Sequence, residues 1–147
     1  INSIMVIKSE NETFATLDIC VIDLYTGEAE FIKTGAEPSF IMQKNGVETV
    51  RAASLPVGVV AGIETDSTVR CVKDGDTIVM ITDGIEGKSG DSGRIKSFIE
   101  KERACGANEL ANAILRNAIG ENEGNENDDM TVITLKIRQR RELLHVA

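Results

Sequence analysis

Two apolar runs, each bordered on one side by acidic residues, constrain most strongly what this chain can fold into. Residues 77–82 are followed at once by Asp83-Gly84, and residues 130–135 are preceded at once by Asp128-Asp129. Short runs rich in β-branched residues are typical of strands, and the apolar density of residues 77–82 predicts burial on both faces. A carboxylate at the end of one strand can meet a carboxylate at the start of another over a sheet edge.

Such a pair of carboxylates has the chemistry of a site for a hard cation. Mg²⁺ and Mn²⁺ prefer oxygen ligands, and one or two protein carboxylates often suffice when water and phosphate oxygens complete the shell. The sequence therefore predicts Asp83 and Asp128 as metal ligands. We expect Gly84 to let the backbone turn sharply, so that the Asp83 side chain faces the sheet edge. A plain turn at Asp83-Gly84 and a solvated loop end at Asp128-Asp129 remain the alternative.

The composition favours one globular domain and disfavours several kinds of partner. The chain has 147 residues, of which 41% are hydrophobic, enough for one core. Its net charge of -8 argues against general binding to nucleic acid or to an anionic membrane. No apolar run is long enough to span a bilayer, and we expect no membrane contact from this segment. Three widely spaced cysteines fit a reducing, cytoplasmic compartment.

Turn signals predict three hairpins in the first part of the chain. Each consists of two strand-like runs on either side of a short polar segment. The second has Asn45-Gly46 at its turn, the strongest two-residue hairpin signal in the sequence. Asp18 and Asp23, in the first strand, are expected at the surface. The predicted strand pairs are residues 15–24 with 29–34, 39–43 with 47–50, and 65–72 with 77–82.

Two helices and a last strand are predicted in the remainder. Ile95, Phe98 and Ile99 lie at helical spacing, which indicates a first helix. A second helix is expected from a cap at Asn108 to Gly120, with one apolar stripe formed by Leu110, Ile114, Leu115, Ala118 and Ile119. The last strand covers residues 130–137. Hairpins followed by helices predict an α+β domain with antiparallel sheets.

Two loops contain glycine and proline in patterns that can shape a site. Glycine at position 35 permits close approach of another segment, and the proline of Leu55-Pro56-Val57-Gly58 fixes a kink before a flexible point. A loop of this kind can pack beneath a site. A plain crossover connection explains both loops equally well.

Five stretches taken in order carry a family resemblance. They are Ala15-Thr16-Leu17-Asp18, Gly35-Ala36-Glu37-Pro38-Ser39, Leu55-Pro56-Val57-Gly58, Thr82-Asp83-Gly84-Ile85 and Asp128-Asp129-Met130-Thr131-Val132. Together they resemble the bacterial metal-dependent type 2C protein phosphatases, and within that group the stage II sporulation protein E family. The resemblance implies an α/β/β/α sandwich of antiparallel sheets flanked by helices. Residues 1–137 would form the C-terminal part of one phosphatase domain, and residues 138–147 a charged tail.

The resemblance also implies an activity and a site. In this family, water or hydroxide between two Mn²⁺ or Mg²⁺ ions attacks phosphoserine or phosphothreonine. Asp83 and Asp128 match metal-ligating aspartates, and Asp129 matches an auxiliary position beside them. Gly84, Gly35, Pro56 and Gly58 would shape the site. The implied partner is a phosphorylated anti-anti-sigma factor in sporulation signalling, or a similar substrate in general stress signalling.

The sequence departs from the family pattern in one important respect. An Asp-Gly-x-Gly segment, whose aspartate bridges both metals in the family, is missing, as are the strands that carry it. Asp83-Gly84-Ile85-Glu86-Gly87 is also shorter than its counterpart in some relatives. We therefore expect a piece of a longer, active parent, with any membrane anchor in its upstream segments and an incomplete two-metal site in the piece alone. The sheet edge left open could pair with a second copy, which keeps a homodimer possible. A phosphatase-like binding module without turnover, or an acidic scaffold, are the alternatives.

Overall fold

The described residues form seven strands and three helices, besides a short helical segment at residues 2–4. The computed structural model describes residues 2–4, 14–51, 53–62, 66–87, 91–121 and 128–139. The strands are β1 (Leu17–Ile22), β2 (Glu28–Thr34), β3 (Ser39–Gln43), β4 (Gly46–Val50), β5 (Asp66–Cys71), β6 (Thr77–Ile81) and β7 (Val132–Lys136). The helices are α1 (Asp83–Glu86), α2 (Ser92–Lys101) and α3 (Ala107–Glu121).

The strands form two antiparallel sheets. One sheet has three strands in the order β1-β2-β5, and the other has four in the order β4-β3-β6-β7. All the strand pairs are antiparallel. Helices α2 and α3 pack against the four-stranded sheet. The predicted layered α+β architecture with antiparallel sheets is therefore confirmed.

Two apolar clusters hold the layers together, and the central strands contribute to both. The first lies between the helices and the four-stranded sheet and includes Phe40 and Val79. The second lies between the sheets and includes Ile41 and Ile78. Because successive side chains of a strand point to opposite faces, β3 and β6 are buried on both sides. This confirms the predicted strand buried on both faces, although the strand ends at Ile81 and Thr82 is exposed.

The first two predicted hairpins are confirmed, and the third is wrong. Strands β1 and β2 pair with each other, as do β3 and β4. Strand β5 instead pairs with β2, whereas β6 lies between β3 and β7 in the other sheet. The connecting loop does turn locally, since the Asp76 side chain accepts a hydrogen bond from the Lys73 amide at 2.9 Å. The Gly75 amide donates to the Ile137 carbonyl, and the Asp76 carbonyl accepts from the Ile137 amide. These two bonds hold the loop against the residue that follows β7, so the loop connects one sheet to the other.

The helices form where expected, with different ends. Helix α2 is capped by Asp91, whose side chain accepts a hydrogen bond from the Gly93 amide. Helix α3 starts one residue before the predicted cap at Asn108, and the Glu109 carboxylate accepts a hydrogen bond from the Gly106 amide at 2.8 Å. It continues through Glu121, past the predicted end. Within the described segments, no helix is long and apolar enough to cross a membrane.

The last strand is shorter than predicted, covering Val132–Lys136 rather than residues 130–137. Residues 140–147 lie outside the described residues. The division into a domain of residues 1–137 and a tail therefore stays a prediction.

Shortening one buried side chain of β6 should destabilise the whole sandwich. Ile78 is 1% exposed and packs between the sheets. Ile78→Ala is expected to lower the free energy of unfolding by about 2–5 kcal/mol, because it removes buried methyl groups and leaves a cavity. Chemical denaturation measures the loss. The matched control is Ile133→Ala on the neighbouring strand β7, where the side chain is 55% exposed and the change should be small. Equal losses in both variants would contradict this account of the core.

Candidate metal centre

The two acidic segments lie side by side at one end of the four-stranded sheet. Strands β6 and β7 pair up to Ile81 opposite Val132. Beyond this pair the Thr82 amide donates to the Thr131 carbonyl at 3.1 Å. The Thr82 hydroxyl accepts from the Thr131 amide at 2.8 Å and donates to the Asp129 carbonyl at 3.2 Å. The backbone that carries Asp83 is thereby fastened to the backbone that leads out of Asp128-Asp129.

Gly84 permits this contact for a different reason from the one predicted. It lies inside the short helix α1 and is not among the glycines with a positive φ, so it does not supply a left-handed turn. A Cβ atom at this position would lie 2.5 Å from the Asp129 carbonyl oxygen. Only a residue without a side chain allows such an approach. Gly84 is required by close packing of α1 against the Asp129 backbone.

The three predicted acidic side chains are all exposed at this end of the sheet. One carboxylate oxygen of Asp83 accepts a hydrogen bond from the Gly84 amide at 3.0 Å. One oxygen of Asp128 accepts from the Asp129 amide at 2.8 Å. The structure thus brings the backbones of these residues together, and their role as ligands stays a prediction.

A cavity of about 260 Å³ opens between the ends of the two sheets. One wall comes from β6, β7 and the residues next to them, and it includes Thr82, Asp83 and Thr131. The opposite wall comes from the three-stranded sheet and the loop after β2, and it includes Asp18, Gly35 and Glu37 among its residues. Of the described residues predicted for the site, Asp83 and Gly35 line this cavity. The other predicted residues are not part of its lining: Gly84, Asp128, Asp129, Pro56 and Gly58.

The predicted site-shaping residues Gly35 and Pro56 are in direct contact. Gly35 has a φ of 60°, and a Cβ atom there would lie 2.5 Å from Pro56 Cγ. Its amide donates to the Ser54 carbonyl at 2.9 Å. The loop containing Pro56 therefore packs directly against the cavity wall. Gly58, with a φ of 97°, donates its amide to the Asn2 side chain at 2.8 Å and lies farther along this loop.

Asp18 is part of the cavity wall, so the expectation that it faces the surface was wrong. It lies opposite Lys33 across β1 and β2, and its Oδ2 atom accepts a hydrogen bond from the Lys33 ammonium at 2.6 Å. The predicted hairpin did not place the two residues opposite each other, since Asp18 lies seven positions before the predicted turn at 25–28 and Lys33 five positions after it. The observed register, with Ile22 opposite Ala29, brings the opposite charges together, and such cross-strand pairs attract.

A second feature that sequence reasoning missed is a pair of glutamates. Glu86 is buried in α1, and its carboxyl group is hydrogen-bonded to that of Glu37 in the cavity wall. Burial is the main cause that raises the pKa of Glu86 to about 7, followed by the hydrogen bond to Glu37 and the negative charge of Glu37. Asp91 raises the pKa further, whereas Arg51 lowers it. The Glu86 carboxyl group of α1 thus lies close to the Glu37 carboxyl group of the opposite wall.

The donor atoms at this end of the molecule suit Mg²⁺ or Mn²⁺, which prefer carboxylate oxygens and water. Asp83 lines the cavity, and Asp128 extends from the adjoining backbone. Asp18 Oδ1 is buried and has no hydrogen-bond partner among the described residues. Those residues contain no group of three or more His, Cys, Asp or Glu side chains that could hold a metal ion. The described residues therefore do not form a complete coordination shell by themselves, and the role of Asp83 and Asp128 as ligands stays a prediction.

The close approach at Gly84 can be tested by adding one methyl group. Gly84→Ala should lower the free energy of unfolding by about 1–3 kcal/mol, because the new Cβ atom would overlap the Asp129 backbone. Thermal or denaturant unfolding measures the effect. Gly120→Ala is the matched control, since nothing lies within 4 Å of a Cβ atom there. In the α3 helix that change should be neutral or stabilising by up to about 1 kcal/mol. A harmless Gly84→Ala would argue against the packing described here.

The raised pKa of Glu86 predicts a pH dependence of stability. The folded chain holds this proton more tightly than the unfolded chain, whose glutamates titrate near 4.5. The contribution of Glu86 to stability is therefore complete below pH 4.5 and is lost as the pH rises through about 7. Glu86→Gln should flatten the decline of the melting temperature across this interval, whereas Glu100→Gln on the exposed face of α2 should not. An unchanged slope in Glu86→Gln would show that another group controls it.

The chain matches known proteins over nearly its whole length. Residues 1–138 match the family described as Stage II sporulation protein E (SpoIIE). The chain is 32% identical over 141 residues to Stage II sporulation protein E of Bacillus subtilis (strain 168). That alignment covers 93% of this chain but only 17% of the relative. The chain therefore corresponds to a small part of that protein.

Solved structures of one domain of the same Bacillus subtilis protein share the fold. The phosphatase domain of the cell fate determinant SpoIIE is 30% identical, with a TM-score of 0.72, and the match covers 96% of this chain and 64% of that domain. A structure of the same domain presoaked with Mn gives 28% identity and a TM-score of 0.73, with 96% of this chain and 65% of that chain covered. The architecture is thus that of a type 2C phosphatase domain. By sequence match over residues 1–138, the chain belongs to the stage II sporulation protein E family.

Proposed function

We propose that the protein carrying this chain is a metal-dependent phosphatase acting on phosphoserine or phosphothreonine in a protein. The observation that carries the proposal is the meeting of two acidic strand ends beside a cavity of about 260 Å³. The family supports it, since the matched domain of the Bacillus subtilis relative is a phosphatase domain by name. Because this chain spans 64% of that domain, the activity is proposed for the complete protein.

The residues of this chain would hold the cation and orient the phosphate. Asp83 and Asp128 supply carboxylate oxygens on two adjoining backbones, and Asp129 supplies a neighbouring one. Bound Mn²⁺ or Mg²⁺ would lower the pKa of water and offset the negative charge of a phosphate. A net charge of -8 on the chain makes such local compensation necessary for an anionic substrate.

One hydroxyl beside the site is poorly placed to act as a nucleophile. Thr82 is the threonine nearest to Asp83 in sequence, and its hydroxyl accepts from the Thr131 amide and donates to the Asp129 carbonyl. Thr16 and Thr131 also line the cavity. The family resemblance, in which water or hydroxide attacks the phosphate, leads us to propose hydrolysis without a covalent phosphoenzyme.

The proposed substrate is a phosphorylated anti-anti-sigma factor, as the family resemblance implies, with a substrate in stress signalling as the alternative. A second copy of the chain remains a proposed partner through an open edge strand. Strand β1 forms one edge of the three-stranded sheet and exposes Ile19 and Val21. Nucleic acid is not a proposed partner, because the chain is acidic.

Removing either metal-ligand candidate should abolish turnover in the full-length protein. Asp83→Asn and Asp128→Asn are each expected to lower Mn²⁺-dependent phosphate release by at least about 100-fold, since even residues that only orient a ligand contribute about 10–100-fold. Release from a phosphoserine peptide, measured over a range of Mn²⁺ concentrations, tests this.

Asp23→Asn is the matched control for charge. Asp23 caps the turn between β1 and β2, at the opposite end of β1 from the cavity residue Asp18, and an asparagine can still accept its hydrogen bonds from Tyr25 and Thr26. Its turnover should equal that of the wild type. Unchanged turnover in both Asp83→Asn and Asp128→Asn would contradict the proposed function, and Mn²⁺ binding without any turnover in the wild type would favour a binding module.

A further inference from the structure

One loop of the molecule has no charge and exposes apolar side chains. Residues 53–62, the apolar loop, contain no acidic or basic residue, although 27% of the chain is charged. Three large side chains of this loop, those of Leu55, Val59 and Val60, are each 42–52% exposed. Single apolar side chains at a surface are ordinary, whereas several in one charge-free segment are typical of a surface that binds a partner.

The apolar loop adjoins the cavity between the two sheets. Pro56 contacts Gly35, which is part of the cavity lining. The next residue, Val57, exchanges two backbone hydrogen bonds with Ala15, at 2.8 and 2.9 Å. Ala15 directly precedes Thr16, which also lines the cavity. The exposed side chains of the loop therefore belong to the surface that borders the cavity.

Hydrogen bonds from two other segments hold the apolar loop in one shape. The Ser54 hydroxyl donates to the Lys33 carbonyl at 2.5 Å. Farther along, the Asn2 side chain accepts from the Gly58 amide at 2.8 Å and donates to the Val60 carbonyl at 3.1 Å. The loop is thus fixed before any partner binds. Such preorganisation lowers the entropy cost of binding, because less has to be ordered in the complex.

Geometry and charge both favour a phosphorylated protein as the partner of this loop. A protein whose phosphoserine or phosphothreonine enters the cavity must place its neighbouring residues on the surface that borders the cavity. The chain carries a net charge of -8, so a phosphorylated partner is repelled by the molecule as a whole. A segment without charge adds no like-charge repulsion at the contact, and apolar side chains supply affinity that does not depend on the phosphate.

We propose that the apolar loop is a docking surface for the protein substrate, where Leu55, Val59 and Val60 contact apolar side chains of a folded phosphoprotein. The inference rests on the proposed function, since it takes the cavity as the place where the phosphate binds. It adds how the substrate is recognised: the enzyme selects an intact protein through a surface outside the cavity. A short phosphopeptide lacks the folded surface that makes this contact.

The test compares one substrate in two forms. The full-length protein with Leu55→Ser and Val59→Ser is assayed on an intact phosphorylated anti-anti-sigma factor and on a short peptide spanning its phosphorylated residue. We expect kcat/KM for the intact protein to fall about 10-fold, as when one central contact of an interface is lost. The loss should appear as a higher KM, because docking outside the cavity binds ground state and transition state equally. The kcat/KM for the peptide should stay unchanged.

Leu24→Ser with Val69→Ser is the matched control. Leu24 lies in the turn between β1 and β2 and Val69 in β5; both are more than half exposed, and neither lines the cavity. This variant also replaces one leucine and one valine by serine. Its kcat/KM for both substrates should equal that of the wild type. An equal loss in both double variants would overturn the proposal, as would wild-type kcat/KM for the intact protein in the Leu55→Ser, Val59→Ser variant.

The two substrates also separate docking from internal packing. If Leu55→Ser with Val59→Ser lowered kcat/KM equally for the intact protein and the peptide, the loop would support the catalytic domain itself, and the proposal would be overturned. A wild type that hydrolyses the peptide as efficiently as the intact protein contradicts the docking surface alone. A wild type that releases phosphate from neither substrate contradicts the proposed function, and the inference with it.

A milder variant covers the case in which the double variant fails to fold. Ala61 is exposed near the end of the apolar loop, and Ala61→Glu adds a charge there without removing a large apolar side chain. It should lower kcat/KM for the intact protein by about 2–10-fold and leave the peptide unchanged, because a like charge at an interface slows association. Unchanged kcat/KM for the intact protein in Ala61→Glu would then overturn the proposal.

Discussion

The rest of the candidate site depends on the contact between Gly84 and the Asp129 backbone. The ladder between β6 and β7 ends at Ile81, and from there the Thr82 hydroxyl bonds to both the Thr131 amide and the Asp129 carbonyl. The Thr82 side chain thus continues the contact between the two segments at the point where the backbone after β6 enters α1. Because Gly84 has no side chain, the turn can lie directly on Asp129. The position of Asp83 relative to the acidic segment follows from backbone contacts, before any ion binds.

The opposite wall of the cavity is held by charged groups that satisfy one another. Lys33 is paired with Asp18, and Glu86 shares a hydrogen bond with Glu37. Buried charges are tolerated only when they are paired or neutralised. The first pair is an ion pair, and the second is kept partly neutral by a proton, because burial raises the pKa of Glu86 to about 7. The carboxylates at this end of the molecule thus differ: those of Asp83 and Asp128 are exposed, whereas Asp18 is paired with Lys33 and Glu37 lies against Glu86 of α1.

The sequence predicted local structure well and distant contacts poorly. The spacing of apolar residues and the turn residues were enough to predict two hairpins, a strand buried on both faces and two helices. The third hairpin could not, since the Asp74-Gly75 turn is compatible with strands in one sheet or in two, and only packing decides. Glu86 and Glu37 were missed because they are 49 positions apart and meet only in the folded chain. Gly84 was assigned to the site for the wrong reason, since a need for close approach and a need for a turn look alike in sequence.

The site requires both sheets, because residues of each sheet line the cavity. The site can therefore form only when the core between the sheets has formed. Asp83 comes from the end of β6 in one sheet, whereas Asp18 and Lys33 come from β1 and β2 in the other. The cavity between them exists only when the apolar cluster that includes Phe31 and Ile78 has brought the sheets together. Such contacts join residues far apart in sequence, and their loop-closure entropy must be offset by core packing. A loss of packing between the sheets would therefore separate the two walls of the cavity even if each sheet kept its own hydrogen bonds.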